Sequence, residues 1–272
     1  MPAILQDERL LLIKTPLPKK DGEEILLVNR FDCTERISRP FGIELELVAE
    51  PSNADSVSAD ALIGKPLTVS LALEDGSLRH FHGLVSRFTE GGRDARFAYY
   101  HAEVVPWLWL LMLTSDCRIF QEKTVPQIVA EIFDELRKDF PGLVNVRDTT
   151  KAENHRPWDY CVQYRETDFN FVSRLMEHEG ICYFFEHEEN QHTLVMAEEA
   201  RVHKVCPKLK DGEAPFQPEG GTRDRVDFVT SWEKATAMRP GKYLLRDYHF
   251  QRPNTKLDPS NNLEVPENTK FK

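Results

Sequence analysis

Closely spaced cysteine pairs are absent from this sequence. Its five cysteines, Cys33, Cys117, Cys161, Cys182 and Cys206, form no C-x-x-C motif. Zinc sites usually draw on such pairs, so no metal centre is expected from them. The odd number points to reduced, mostly buried thiols. Long apolar runs are also missing. The longest is Val104–Leu113, ten residues interrupted by Pro106, whereas a helix needs about 20 to cross a bilayer. Stable membrane insertion by this region is not expected. A basic surplus is missing as well: 35 Lys+Arg stand against 45 Asp+Glu, for a formal net charge of −10. Residues 1–110 carry 12 basic and 17 acidic residues, and the remainder 23 and 28, so the acidity is spread evenly. Binding to a phosphate backbone needs a basic stripe, and no nucleic-acid partner is expected. The secretory leader pattern is missing too, because Asp7, Glu8 and Arg9 precede the first apolar stretch. We therefore expect cytoplasmic folding, and any export to proceed without a cleaved leader.

What remains is a globular composition. Hydrophobic residues make up 40% of 272, enough for a sizeable core in one large domain or two small ones. The first ~110 residues read as β-structure. Leu10–Leu17 is apolar and is followed by Lys20-Asp21-Gly22-Glu23 and then Ile25–Val28, which predicts a hairpin, since Asp-Gly favours a type I′ turn. Phe41, Ile43, Leu45 and Leu47 alternate with polar positions, as do Leu67, Val69, Leu71 and Leu73. Asp75-Gly76 and Gly91-Gly92 are expected to turn the chain into Leu78–Phe88 and Arg96–Val105. Five or six strands at this spacing predict a small antiparallel barrel or sandwich.

The middle is mixed. Thr124 and Gln127 have the spacing of a capping box, and Val125, Ile128, Val129, Ile132, Phe133 and Leu136 share one helical face. Pro141-Gly142 stops that helix. A second is expected from Thr167, with Asp168 in its first turn, Phe169, Val172, Leu175 and Met176 inward, and Gly180 after its end. Ile181–Phe185 and His192–Met196 read as strands. Residues 206–224 look like a linker or long loop, Arg225–Glu233 and Lys242–Phe250 look like strands, and Pro253–Lys272 is polar and aperiodic.

A search for catalytic chemistry finds little. His178, His187 and His192 are the candidates for a metal-dependent hydrolase, but His187-Glu188 is followed by a histidine at i+5, not the i+4 of H-E-x-x-H. There is no nucleophile elbow and no phosphate-binding loop. Glu166 and Asp168 flank a helix start, where dipole and capping needs explain them. No cofactor is expected. The run Pro106-Trp107-Leu108-Trp109-Leu110-Leu111 is the most unusual feature. It reads either as a strand buried on both faces or as a subunit-contact surface.

Three blocks then carry a resemblance. They are His80-Phe-His-Gly-Leu-Val-Ser-Arg-Phe88, Val105–Gln121 with Trp107, Leu108, Trp109, Leu110, Asp116, Arg118 and Phe120, and Tyr160–His187 with Tyr164, Glu166, Asp168, Phe169, Phe171 and Gly180. In order and spacing they closely resemble the VgrG family, the spike proteins at the tip of the bacterial type VI secretion system, over roughly residues 8–250. The resemblance implies a mainly β fold with an α+β insertion, similar to a phage tail hub: small antiparallel β-barrel modules plus two amphipathic helices. It implies residues 1–110 as a first tube-like module and 111–205 as an α/β insertion. Residues 206–224 would link to 225–272, the start of an incomplete second module. It further implies a homotrimer that joins the hexameric tube protein, Hcp, to the needle, with effectors or adaptors and baseplate proteins as partners, no catalytic residues, and injection out of the cell after assembly in the cytoplasm. The thirteen residues just named, from Trp107 to Gly180, are candidates for subunit contact or core. A full spike continues into an OB-like barrel and a β-helix, so the expectation is a fragment or truncated product. Its unpaired second module would make it less soluble than a chain longer by about 100 residues. The alternative is the baseplate hub of a contractile phage tail or related injection particle.

Overall fold

The structure is a computed structural model. It describes residues 9–73, 75–203, 216, 229, 231–240, 242–244, 246–258, 260–262 and 270–271. Residues Met1–His203 form one compact unit and Lys204–Lys272 a second.

The first unit opens with a six-stranded antiparallel sheet in the order β1-β4-β5-β6-β3-β2. Its strands are β1 (Leu11–Lys14), β2 (Leu27–Thr34), β3 (Gly42–Ala49), β4 (Pro66–Ala72), β5 (Leu78–Arg93) and β6 (Ala98–Val105). A short helix, α1 (Ala59–Leu62), leads into β4. Ile43, Leu45 and Leu47 of β3 and Ala98, Tyr100, Ala102 and Val104 of β6 point to one side and are buried, as period-two alternation requires. The sheet curls into a half-barrel. Arg9, just before β1, donates from Nη2 to the Val28 carbonyl at 2.6 Å and so reaches the far edge strand.

The Asp21-Gly22 turn forms, with Lys20 and Glu23 exchanging both backbone hydrogen bonds at 2.9 Å and φ of 55° and 89° at the centre. The flanking segments do not pair with each other: β1 pairs with β4 and β2 with β3. The turn fixes its own geometry, and the strand order sends β1 and β2 to opposite edges of the sheet, which its curl brings back near each other. Gly91-Gly92 makes no turn. Strand β5 runs through it to Arg93 with a register shift against β6, and the reversal comes at Asp94, whose carboxylate accepts from the Arg96 and Phe97 amides.

The rest of the unit holds α2 (Val125–Asp139), α3 (Asp168–Glu179), the two-stranded ribbon of β7 (Ser115–Phe120) with β9 (Cys161–Thr167), and a sheet of β10 (Cys182–His187), β11 (His192–Ala197) and β8 (Asn145–Asp148). Thr124 and Gln127 form the expected capping box. Gly180 ends α3 with φ 72°. The strand expected at Trp107–Leu111 is instead a 3-10 helix, Trp107–Met112. Its buried residues Trp107, Leu108 and Leu111 follow i, i+1, i+4, a helical spacing that an unbroken apolar run conceals. They join a second apolar core with Ile128, Ile132, Phe133, Phe171 and Leu175.

In the second unit, Lys242–Leu244 pairs with Ser260–Asn262 and Arg239–Pro240 with Lys270–Phe271. Most of the expected linker 206–224, and much of the strand expected at Arg225–Glu233, lie outside the described residues. No helix among the described residues is long and apolar enough to cross a membrane.

Candidate functional site

The sequence-predicted residues gather where the β7–β9 ribbon meets the two helices. Strand alternation turns Arg118 and Gln163 inward from facing strands, and they are register partners. Arg118 donates from Nε to Gln163 Oε1 at 2.9 Å, and its two Nη atoms reach Glu135 on α2 and Asp168 on α3. Asp168 also accepts from Gln163 Nε2 at 2.7 Å and from Thr114 Oγ1 at 2.5 Å. Every polar group in this knot meets a partner, as a buried ionic group must to be tolerated. The knot fixes the ribbon against both helices. Its carboxylate acceptors are taken up by fixed donors, an arrangement that holds geometry.

Around it the aromatic candidates pack. Phe120 stacks on Phe171 with centroids 5.6 Å apart, and Trp107 meets Phe133 edge-on at 5.0 Å. Trp107 and Leu108 are fully buried within this chain, while Trp109, Leu110 and Phe169 are half-buried. Glu166 accepts three hydrogen bonds from the Arg174 guanidinium, at 2.7 to 3.0 Å. Asp116 is exposed and accepts from the Cys117 amide.

The other side of the ribbon faces outward. Ile119 and Val162 are directly opposite in register. They are 59% and 36% exposed, beside Tyr164 at 64%. A bulge between Asp116 and Arg118 accommodates Arg165 at φ 50°, where its guanidinium lies over the Tyr164 ring at 5.2 Å. A non-glycine residue held in the left-handed region is strained. Here the strain turns an aromatic and a cation toward solvent. The opposite character appears on the outer face of the six-stranded sheet. There Asp32, Glu44, Glu103 and Arg87 stand in one cross-strand row and Arg30, Glu46 and His101 in the next, lining a shallow depression of about 390 Å³.

The three histidines proposed for a hydrolase do not converge. His178 packs edge-on against Trp158 at 5.2 Å, on α3. His187 and His192 lie together at the seam between the six-stranded sheet and the β10–β11 hairpin. Among the described residues no group of three or more His, Cys, Asp or Glu side chains is placed to hold a metal ion. The residues missed from sequence are Thr114, Glu135, Gln163, His82 and His155. Gln163 and His82 had a legible signal, a polar side chain at an inward strand position. His155 is buried with Nδ1 3.0 Å from Glu179 and Nε2 2.9 Å from Glu198. Burial pulls its pKa down, but the two carboxylates outweigh that and hold it above the ordinary histidine value.

Residues 34–271 match the family described as phage tail baseplate hub (GPD). The chain belongs to that family. This hub chain is 41% identical over 96% of its length to the type VI secretion system spike protein VgrG1b of Pseudomonas aeruginosa, and spans about a third, 33%, of that relative. Its fold is similar to an Escherichia coli type VI secretion component, c3393 (TM-score 0.52, 18% identity), with 72% of this chain and 52% of that one covered. It is also similar to a tail protein of Neisseria meningitidis (TM-score 0.58, 13% identity), with 94% and 68% covered.

Proposed function

We propose that this hub chain is the N-terminal structural part of a type VI secretion spike, a trimeric adaptor between the Hcp tube and the needle. One observation carries the reading: the apolar outer face of the β7–β9 ribbon, Ile119, Val162 and Tyr164 with Arg165, is displayed by a strained bulge and anchored from behind by a satisfied polar knot. Aromatic and Arg residues on a rigid element are what a subunit contact uses. In this reading residues 1–110 are the first tube-like module, 111–205 the α/β insertion, 206–224 a link, and 225–272 the opening of a second module. The charged outer face of the sheet then meets water or a polar neighbour. Besides copies of itself and Hcp, the partners are effectors or adaptors and baseplate proteins. The protein works by fit, without catalysis, and is assembled in the cytoplasm before injection. The 41% identity to a spike protein favours this over a phage baseplate hub.

Sedimentation equilibrium on a chain of the relatives' full length tests it. A trimer at micromolar concentration is the expected result, and monomer alone at that concentration would overturn the reading.

A further inference from the structure

His82 on β5 and His192 on β11 are both buried, and their Nδ1 atoms lie 2.9 Å apart. The backbone N–H of Trp107 donates to His192 Nε2 at 2.9 Å. That second bond settles the tautomers. Since His192 Nε2 accepts, its proton sits on Nδ1 and is donated to His82 Nδ1, which leaves the His82 proton on Nε2. One proton therefore bridges two elements that are far apart in sequence.

We propose that the His82–His192 contact is an acid-release latch: beside the bonds that Lys14, Thr68 and the His82 backbone make to the β10–β11 hairpin, a shared proton ties this hairpin and the Trp107 turn to the six-stranded sheet, and one further proton loosens this seam. The geometry leaves no neutral way to add it. A proton on His82 Nδ1 faces the N–H of His192. If His192 instead passes its role over and takes a proton on Nε2, that proton faces the Trp107 amide. Either way two donors confront each other at 2.9 Å, and the site loses a hydrogen bond while burying a charge.

The surroundings favour the neutral rings. On β10, His187 stands 6.2 Å from His192, centroid to centroid, and its Nδ1 is 3.1 Å from the His82 backbone. On β1, Lys14 adds positive charge, itself paired with Glu189 of the β10–β11 turn at 2.7 Å. On β5, His80 is engaged by Ser70 Oγ at 2.8 Å, and Arg79 pairs with Glu35 at 3.4 Å. Glu35, from the segment after β2, brings a carboxylate to the cluster and faces His187 at 3.3 Å. From the segment before β3, Phe41 closes the site, with its ring 5.4 Å from that of His192. Burial first, then His187 and Lys14, push the His82 pKa down to about 4, and burial with the neighbouring imidazoles holds His192 well below the usual histidine value.

The test uses the full chain. Imidazole nitrogen shifts report each ring's protonation, and amide exchange, corrected for its intrinsic pH dependence, reports the seam. His192 should show an Nδ1–H tautomer and His82 an Nε2–H tautomer, both neutral at neutral pH, with His82 staying so until the pH nears about 4. Below that, exchange at the Trp107 amide should rise about tenfold or more as the rings protonate, while amides of Ile128 and Ile132 on α2 stay protected. His82→Gln keeps an acceptor that takes no proton, so its seam should open at lower pH. Ring protonation with the Trp107 amide still protected would overturn the latch. So would seam opening while both rings stay neutral, or a folded His82→Gln variant that opens at the original pH. If that variant does not fold, the titration of the unaltered chain decides alone.

Discussion

At the residue scale, Gly83 sits mid-strand, where a Cβ would lie 2.7 Å from Val104 Cγ1 and 2.9 Å from the Val105 carbonyl oxygen. The backbone oxygen cannot swing aside, so Gly83→Ala should cost about 1–3 kcal/mol of stability, read as a lower melting temperature. The glycine is visible in the sequence, but its reason is the approach of β6. The histidines make a second case. His155 has a raised folded pKa, so its stabilisation is complete below about pH 6.5 and fades as pH rises through that folded value. His82 and His192, with lowered pKa values, stabilise fully above about pH 6.5 and lose that contribution as pH falls through their folded values, about 4 for His82. The denaturation midpoint plotted against pH should therefore decline on both sides. His155→Gln should flatten the alkaline decline and leave the acid one. If the alkaline limb is unchanged in that variant, the Glu179–His155–Glu198 bridge contributes nothing to stability.

At the element scale, what is local was legible and what is tertiary was not. The α2 capping box, its apolar stripe and the αL end of α3 at Gly180 follow from a few neighbouring residues. Thr124→Ala removes the acceptor of the Gln127 amide and should destabilise by about 1 kcal/mol, measured by urea unfolding. The Trp107 segment misleads because every residue in it is apolar, so neither the strand nor the helix period stands out. Its conformation is set by the second core, into which Trp107, Leu108 and Leu111 drop. The Lys20–Glu23 turn was readable, whereas the partners of β1 and β2 depend on the curl of the whole sheet. In the candidate site, Arg118 and Asp168 were named from sequence, but Gln163, Thr114 and Glu135, which complete their knot, come together only when β7, β9 and the helices pack.

At the scale of the whole molecule, the unit Met1–His203 holds two apolar cores. They meet at a seam of histidines and aromatics. The division of labour is physical. The curled sheet presents charge outward, and the ribbon presents Ile119, Val162 and Tyr164. Replacing Ile119 and Val162 together with Asp puts two carboxylates side by side on the ribbon. This should convert the trimer proposed for a chain of the relatives' full length to monomers with an unchanged circular-dichroism spectrum, because both side chains face away from the core. Loss of the spectrum along with assembly would mean that the face serves folding. The most direct measurement is a particle reconstruction of a chain of the relatives' full length. The account predicts threefold symmetry with Ile119, Val162 and Tyr164 covered by a neighbouring subunit. A particle without threefold symmetry, or one in which that face looks onto solvent, would contradict it.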